Sequence, residues 1–263
     1  MERSSPPQWS TIKVTDDGTV GRITLDRPDK LNPLGPGTLQ ELIEAAAWFD
    51  RRDDIKAVVI GGAGRAFSAG FDMGTFANPP ENSAPRDIPD LGRHMADAVG
   101  AMAPVTIARI HGHCVGGGVV LAAACDLRVA AEDTRFSIPE VALGIPLAWG
   151  GIPRLVREIG PAMTRELVMT CRAFSAGEAK DLGFVNRVVA SEELDRAVDD
   201  LTSSLIDKSA FTLRATKRQV IDVLDQMAGP GAGGDDSAAI IGAMRDPESM
   251  EVARRYLEGL DDR

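Results

Sequence analysis

Three short segments of the 263-residue chain hold the residues whose types and spacing could do chemistry. Residues 64–72 (GRAFSAGFD) and 113–120 (HCVGGGVV) are glycine turns after apolar runs, and each could present backbone N–H groups to a ligand. In the third segment, residues 135–151, Glu140 stands among apolar residues. Loss of hydration there would raise its pKa toward that of a useful general base. Taken alone, plain turn chemistry and a surface turn explain these segments as well.

Neither glycine turn matches the common phosphate-binding motifs. No Gly-Lys-Ser/Thr follows the glycines, and residues 62–67 (GAGRAF) lack the third glycine of a dinucleotide fingerprint. The glycines at 116–118 lead into an apolar stretch that predicts a buried helix. Each glycine inside a helix costs about 0.5–1 kcal/mol relative to alanine. We interpret them as places where another group approaches the backbone closely.

Ser68 raises the possibility of a hydrolase. The nucleophile elbow Gly-x-Ser-x-Gly requires glycine two residues before the serine, and Ala66 stands there instead. A partner base could come from one of the three histidines, which are His94, His111 and His113. Structural roles are more frequent for such histidines. A serine or thioester hydrolase stays open as a third function class.

Composition argues against several kinds of partner. The formal net charge is −10, with acidic residues spread along the chain, which disfavours nucleic acid as a ligand. An anionic ligand would need a local basic cluster or a helix N-terminus. The three cysteines lack metal-ligand spacing and predict reduced thiols, no metal site and a cytoplasmic location. The sequence also shows no signal-peptide apolar region and no membrane span.

The elements that position these segments follow an α/β pattern. Strands are predicted over residues 19–26, 55–62 and 104–110, and a helix over 38–49. The order of strand, glycine turn and helix recurs, which gathers the glycine turns at one edge of the fold.

Two further segments complete the predicted organisation. Residues 74–90 are polar and proline-rich and predict a long mobile surface loop. After a Ser175/Glu178 capping box, the chain from Ser191 onward is mostly helical. We place a boundary near residue 200, with a core domain over 1–200 and a helical oligomerisation region over 201–263.

Three sequence blocks together resemble the crotonase superfamily, also called the enoyl-CoA hydratase/isomerase family. They are residues 27–34 (RPDKLNPL), 66–72 (AFSAGFD) and 111–146 (HGHCVGGGVVLAAACDLRVAAEDTRFSIPEVALGIP), in the family's order and spacing. The resemblance covers about residues 15–200 and is nearest to mycobacterial-type enoyl-CoA hydratase-like paralogues. It implies a spiral of ββα repeats with a C-terminal helical trimerisation region, assembled as a homotrimer or a dimer of trimers.

The resemblance also implies the roles of particular residues. In this family the acyl-CoA thioester carbonyl lies between two backbone N–H groups that stabilise the enolate oxyanion. Those donors match Phe71 and Gly117, and the acid/base residue matches Glu140. Candidate cations for the CoA phosphates are Arg27, Lys30 and Arg65. Acyl-CoA would then be the substrate, with no separate cofactor, and further substrate-binding roles fall on Lys30, Leu31, Ala69, Gly70, Asp72, Met73, Gly116, Val120 and Trp149.

Position 120 departs from the hydratase pattern. Hydratases of this family use two glutamates that jointly orient and deprotonate water, and the second of them matches Glu140. The first falls on Val120, whose side chain neither hydrogen-bonds nor transfers a proton, and Trp149 adds bulk to the same pocket. We therefore expect an isomerase-type proton shuttle. Two more functions stay open, namely hydration of a 2-enoyl-CoA and acyl-CoA binding without turnover.

Overall fold

The computed structural model describes residues 6–77, 84–228 and 230–261. Its strands in these ranges are β1 (Ile12–Asp16), β2 (Val20–Leu25), β3 (Ala57–Gly62), β4 (Val105–Ile110), β5 (His113–Val115), β6 (Leu127–Ala131), β7 (Arg135–Ser137), β8 (Phe174–Ser175) and β9 (Arg187–Val189). The helices are α1 (Pro36–Asp50), α2 (Met73–Ala77), α3 (Asp87–Ala101), α4 (Gly117–Ala124), α5 (Gly151–Thr170), α6 (Ala176–Asp181), α7 (Leu194–Ile206), α8 (Ala210–Ala228), α9 (Asp236–Ala243) and α10 (Pro247–Asp261).

A six-stranded sheet in the order β1-β2-β3-β4-β6-β9 forms the centre of the fold, and β5, β7 and β8 form a second sheet. In the larger sheet β1 runs antiparallel to β2, and the other neighbours are parallel. Parallel strands are covered on both faces, which explains the continuous apolar run AVVI in β3. Because side chains alternate, Ile60 faces the main core and Val59 faces the smaller core under α7.

The two glycine turns lie side by side because residues 68–70 run between residues 113–115 on one side and Leu34 on the other. Ser68 donates its backbone N–H to the carbonyl of His113 at 3.0 Å, and Val115 donates back to Ser68 at the same distance. On the other side, Leu34 donates to the carbonyl of Gly70 at 2.8 Å. The three sequence blocks are therefore neighbours in space as well as in order.

The predicted strands over 19–26, 55–62 and 104–110 and the helix over 38–49 are confirmed as β2, β3, β4 and α1. The predicted loop over 74–90 is wrong in part, because α2 extends through residue 77 and α3 begins at Asp87. Acidic residues in the first turn favour a helix start, and Pro89 is tolerated there. Residues 78–83 of that loop lie outside the described residues.

The boundary predicted near residue 200 falls inside α7. Leu194, Val198 and Leu201 of this helix are buried against the large sheet, so α7 belongs to the core domain. Helix α8, which follows it, also packs against the core of the same chain. Its buried Lys217 donates to the carbonyl of Pro104 at 3.0 Å and pairs with Asp126 at 2.7 Å. Their role in oligomer formation stays a prediction.

No helix in the described parts of the chain is both long enough and apolar enough to cross a membrane.

Candidate active site

A cavity of about 530 Å³ lies where the two glycine turns, the Glu140 turn and the helices α3, α9 and α10 meet. Most of its lining residues are apolar, and among the described residues Glu140 is the one carboxylate that lines it. Most of the predicted site residues line it too: Ala69, Gly70, Phe71, Met73, Gly116, Gly117, Val120, Glu140 and Trp149. The fold thus brings together residues that are far apart in the sequence.

Two backbone N–H groups beside this cavity, those of Phe71 and Gly117, have no acceptor among the residues that the structure describes. Gly117 is the first residue of α4, and amides in the first turn of a helix have no acceptor within it. Within the described ranges neither amide donates to a carbonyl or side chain. The two segments touch, because a Cβ on Gly70 would lie 2.6 Å from the Val115 oxygen and 3.5 Å from the Gly117 nitrogen. Such a pair of donors can bind one oxyanion.

Glu140 begins a tight turn in which its own carbonyl accepts from the amide of Ile145 at 3.0 Å. The residue is half-buried, but its Oε2 is inaccessible to solvent and has no hydrogen-bond partner among the described residues. Burial in this apolar setting raises the pKa of Glu140 to about 7. Near neutral pH such a carboxyl group both accepts and returns a proton.

Gly116 is required for Glu140 to lie where it does. A Cβ at this position would overlap Oε1 of Glu140, so any larger residue would displace the carboxylate. Its backbone angles, φ 50° and ψ −113°, are also ones that only glycine adopts readily. The sequence predicted that some group approaches this glycine backbone closely, and at Gly116 that group is the carboxylate of Glu140, the candidate general base.

Trp149 covers the neighbouring glycine. A Cβ at Gly117 would overlap the indole ring, and the ring of Phe71 meets the same indole edge to face with centroids 6.0 Å apart. Trp149 has φ +60°, a left-handed conformation that costs a bulky residue about 1–3 kcal/mol. Buried Arg154 donates to the carbonyls of Trp149 and Gly150 at 3.3 and 3.0 Å and holds the turn.

Val120 lies one helical turn after Gly116, to whose carbonyl it donates its N–H at 3.1 Å. The residue is 1% exposed and lines the same cavity as Glu140. The side of the cavity formed by α4 therefore offers no second acid or base.

Comparison with known proteins places this geometry in a family. A family model described as enoyl-CoA hydratase/isomerase matches residues 15–251. The chain belongs to the enoyl-CoA hydratase/isomerase family. A peroxisomal Delta(3,5)-Delta(2,4)-dienoyl-CoA isomerase of Arabidopsis thaliana is 34% identical over 229 residues, covering 82% of each chain. A probable enoyl-CoA hydratase of Mycobacterium bovis is 35% identical over 218 residues, covering 81% of each.

A solved structure confirms the fold. The enoyl-CoA hydratase from Mycobacterium avium subsp. paratuberculosis superposes with a TM-score of 0.86 at 24% identity, over 95% of this chain and all of that one. The crotonase-type α/β fold expected from the resemblance is thus confirmed, as is membership of an enzyme family. The relatives' names include both hydratase and isomerase, so membership alone does not select the reaction.

Three residues expected in the family's substrate-binding set do not line the cavity: Lys30, Leu31 and Asp72. Leu31 instead accepts the amide of Ala69 at 2.8 Å, which places the exposed Lys30 beside a segment that does line it. Asp72 accepts from Arg27 Nη1 at 2.9 Å, so Arg27 is paired within the protein. Lys30 and Arg65 are exposed and remain the candidate phosphate-binding cations.

Ser68 has a structural role. It is fully buried, and its hydroxyl donates to the carbonyl of Asn32 at 2.8 Å and accepts the amide of Gly70 at 3.1 Å. Both hydrogen bonds fix the backbone next to Phe71. The structure therefore argues against hydrolysis through a Ser68 nucleophile.

The cysteines are free thiols in the structure. Burial raises the pKa of the Cys125 thiol to about 12, so it stays protonated. The part of the chain that the structure describes contains no group of three or more His, Cys, Asp or Glu side chains arranged to hold a metal ion.

Asn32 is an important residue that sequence reasoning missed. It is buried with φ 55°, and its amide donates to the carbonyls of Ala63 and Ala66 at 2.8 Å each. Its side-chain oxygen accepts the amide of Arg27 at 3.0 Å. Asparagine tolerates the left-handed region, and its place before Pro33 in a turn was the available signal.

The C-terminal helices contribute lining residues that no local pattern indicates: Ile240, Met244 and Tyr256. Ile240 is 8% exposed and belongs to the main core. The segment expected to serve oligomerisation therefore also encloses the site of its own chain.

Burial of Glu140 predicts a loss of stability with rising pH. Its pKa is about 7 in the folded chain against 4.5 as the ordinary value, so between these pH values the unfolded chain releases a proton that the folded chain keeps. Stability then falls as pH rises through this window, by about 3 kcal/mol in total. Glu140→Gln should abolish that decline and be more stable than wild type above pH 7, as measured by denaturant unfolding at pH 5 and pH 8.

The matched control is Glu132→Gln, which changes an exposed glutamate. This variant should follow the pH dependence of the wild type. A decline of equal size in Glu140→Gln and wild type would contradict the assignment of the effect to Glu140.

Proposed function

We propose that this chain catalyses proton transfer on an unsaturated acyl-CoA thioester, moving a proton between the α and γ carbons so that the double bond shifts. The observation that carries the proposal is Glu140, with a pKa of about 7, the one carboxylate among the described residues that lines the cavity, beside two amides that have no acceptor in those parts of the chain. An acyl-CoA substrate follows from the names of the relatives, which act on enoyl- or dienoyl-CoA.

The reaction divides into two proton transfers through one enolate. The thioester oxygen accepts hydrogen bonds from the amides of Phe71 and Gly117, which stabilise the negative charge that develops when a C–H bond breaks. Glu140 takes that proton as a carboxylate while the electron pair moves toward the oxygen. The protonated Glu140 then delivers the proton to the other carbon, and the carbonyl re-forms. One residue acts as base and then as acid, so no second carboxylate is needed.

The apolar enclosure favours this reaction over hydration. Addition of water needs a group that holds the water and controls its second proton, and the Val120 side chain has no polar atom for either task. Trp149, only 7% exposed, occupies the space next to Gly117. The hydratase-named relatives keep hydration as the second candidate.

The CoA moiety would bind outside the cavity, where the exposed Lys30 and Arg65 lie. Local cations matter here because the whole chain has a formal net charge of −10 and repels a polyanion at long range. Helix α4 directs its positive N-terminal end toward the thioester rather than toward the phosphates. The apolar acyl group would then contact Met73, Leu143 and Ile240.

Replacing Glu140 tests the mechanism directly. Glu140→Gln should keep acyl-CoA affinity within a few-fold but lower turnover at least about 100-fold, since general acid–base catalysis contributes that much or more. Incubation of 2-enoyl- and 3-enoyl-CoA of several chain lengths in deuterated water, followed by mass spectrometry, reports isomerisation, deuterium uptake and hydration together. Because the carboxylate form starts the reaction, wild-type activity should fall as pH drops below about 7.

Glu132→Gln again serves as the control and should retain wild-type turnover. A Glu140→Gln variant with most of its activity would remove Glu140 from the mechanism. Tight acyl-CoA binding by the wild type without exchange on any of these substrates would instead identify a binding protein.

Position 120 tests the choice between isomerisation and hydration. Val120→Glu should add a second carboxylate near Glu140 and give measurable hydration of crotonyl-CoA or a longer 2-enoyl-CoA, while an unpaired polar group would cost about 1–3 kcal/mol of stability. Trp149→Ala should be combined with it to make room for water. Val120→Gln is the control, because glutamine has nearly the shape of glutamate but cannot accept a proton, and this variant should gain no hydration. Wild-type hydration as fast as that of two-glutamate enzymes would refute the preference for isomerisation.

Assembly as a homotrimer or dimer of trimers remains part of the proposal. Val220, Val223 and Met227 lie on one face of α8 and are 53%, 56% and 70% exposed. A second copy of the chain would cover this stripe. Sedimentation velocity should show a trimer or hexamer, and Val223→Glu with Met227→Glu should shift it toward monomer, whereas Thr15→Glu on β1 should not. A monomeric wild type would contradict the assembly.

A further inference from the structure

Asp236 connects α9 to the turn that carries Trp149. Its Oδ2 accepts the backbone N–H of Gly150 at 2.7 Å. The same carboxylate pairs with Arg93 of α3 at 2.7 Å, and only 12% of the side chain is exposed. A charged residue from the C-terminal part of the chain is thus largely shielded from solvent next to the cavity.

The turn that Asp236 contacts is conformationally demanding. Trp149 and Gly150 have φ values of +60° and +65°, so two successive residues are left-handed. A bulky side chain rarely adopts that region, and the surrounding structure must hold it there. Arg154 of α5 binds the two carbonyls of the turn, and Asp236 binds its amide from the opposite element.

The ring held by this turn packs against both residues whose amides are the proposed oxyanion donors. The indole of Trp149 occupies the space over Gly117 and packs edge to face on Phe71. On its other side it fills the space beside Gly92 of α3, where a Cβ would overlap the ring. Movement of the turn would therefore move a ring that packs against both amide-bearing residues.

Further polar contacts fix the start of α9 on α3. Ser237 donates its hydroxyl to Asp90 at 2.6 Å, whereas the pair of Arg86 with Asp235 at 2.8 Å is about half exposed and adds little. Ile240, one turn after Asp236, reaches the cavity wall from this position. The same anchoring thus sets both the turn and part of the acyl-binding surface.

We propose that Asp236 is a positioning residue of the active site. It sets Trp149 against the Phe71 and Gly117 segments and seats the acyl group, without touching the substrate itself. The inference rests on the proposed function in one respect, namely that these two amides receive the thioester oxygen. It makes the C-terminal segment a component of the site rather than an oligomerisation region alone.

Variants of Asp236 and its neighbour separate positioning from general stabilisation. Asp236→Ala removes both contacts, whereas Asp236→Asn keeps an oxygen that can accept the Gly150 amide. The matched control is Asp235→Asn, which removes the same charge from the adjacent residue; asparagine still caps α9, as Asp235 does through the amide of Ala238. Each variant is measured by tryptophan emission, by calorimetric titration with a saturated acyl-CoA and with free CoA, and by kcat and KM.

Asp236→Ala should change the tryptophan emission, and the change should be absent when Trp149→Phe is also present. Its affinity for the saturated acyl-CoA and its kcat should each fall at least about tenfold, because small misplacements of a site are costly, while free CoA affinity should stay unchanged. Asp236→Asn should lie between Asp236→Ala and wild type. Asp235→Asn should match the wild type.

Wild-type emission and acyl-CoA affinity in Asp236→Ala would overturn the proposal, as would an emission change that persists in the Trp149→Phe background. If Asp236→Ala does not fold, Asp236→Asn decides by the same measurements. Failure of the proposed function is distinguishable, because wild type would then show no proton exchange although emission and acyl-CoA binding still respond to Asp236.

Discussion

The close packing of side chains against the backbone at the start of α4 is the constraint on which the site depends. Glu140 lies against Gly116, Trp149 against Gly117, and Ser68 against Gly118, where a Cβ would come within 3.0 Å of the serine Cβ. Any side chain at these positions would push away the acid/base candidate, the indole or the segment that carries Ser68 and Phe71. The chain tolerates Gly116 as the N-cap and Gly117 and Gly118 in the first turn because every residue of α4 is buried and tertiary packing stabilises the helix.

This packing sets the electrostatics of Glu140. The positive end of α4 favours the carboxylate, and burial favours the neutral acid. Burial is the larger effect, because the pKa rises to about 7 and Oε2 has no hydrogen-bond partner among the described residues. A second carboxylate at position 120 would add like-charge repulsion and spread the two proton affinities apart. With valine there, one group can serve both directions of proton transfer near neutral pH.

Sequence patterns predicted the parts of this structure that local rules determine. Burial follows directly from the apolar runs of β2, β3 and β4 and from the periodic spacing of apolar residues in α1. The blocks shared with the family located Glu140, Phe71 and Gly117. The contacts of Asn32 and Asp236 could not be predicted in this way, since their partners lie on other elements. For the same reason, the sequence did not indicate that Ile240 lines the cavity. The start of α3 was predicted as loop for another reason, because proline and acidic residues suit both a loop and the first turn of a helix.

The packing around Val120 also bears on the type of reaction that the site can carry out. A Cβ on Gly151 would lie 2.9 Å from both Val120 Cγ2 and Leu147 Cδ2, so these side chains and the glycine backbone already fill the space beside α4. Water that adds to a double bond needs a polar partner and a volume to occupy. The Val120 side chain supplies no polar partner, and its neighbours fill the space on the side of α4 next to Gly151. In the proposed reaction, these packing contacts together would keep water away from the enolate on the α4 side, so that Glu140 returns the proton.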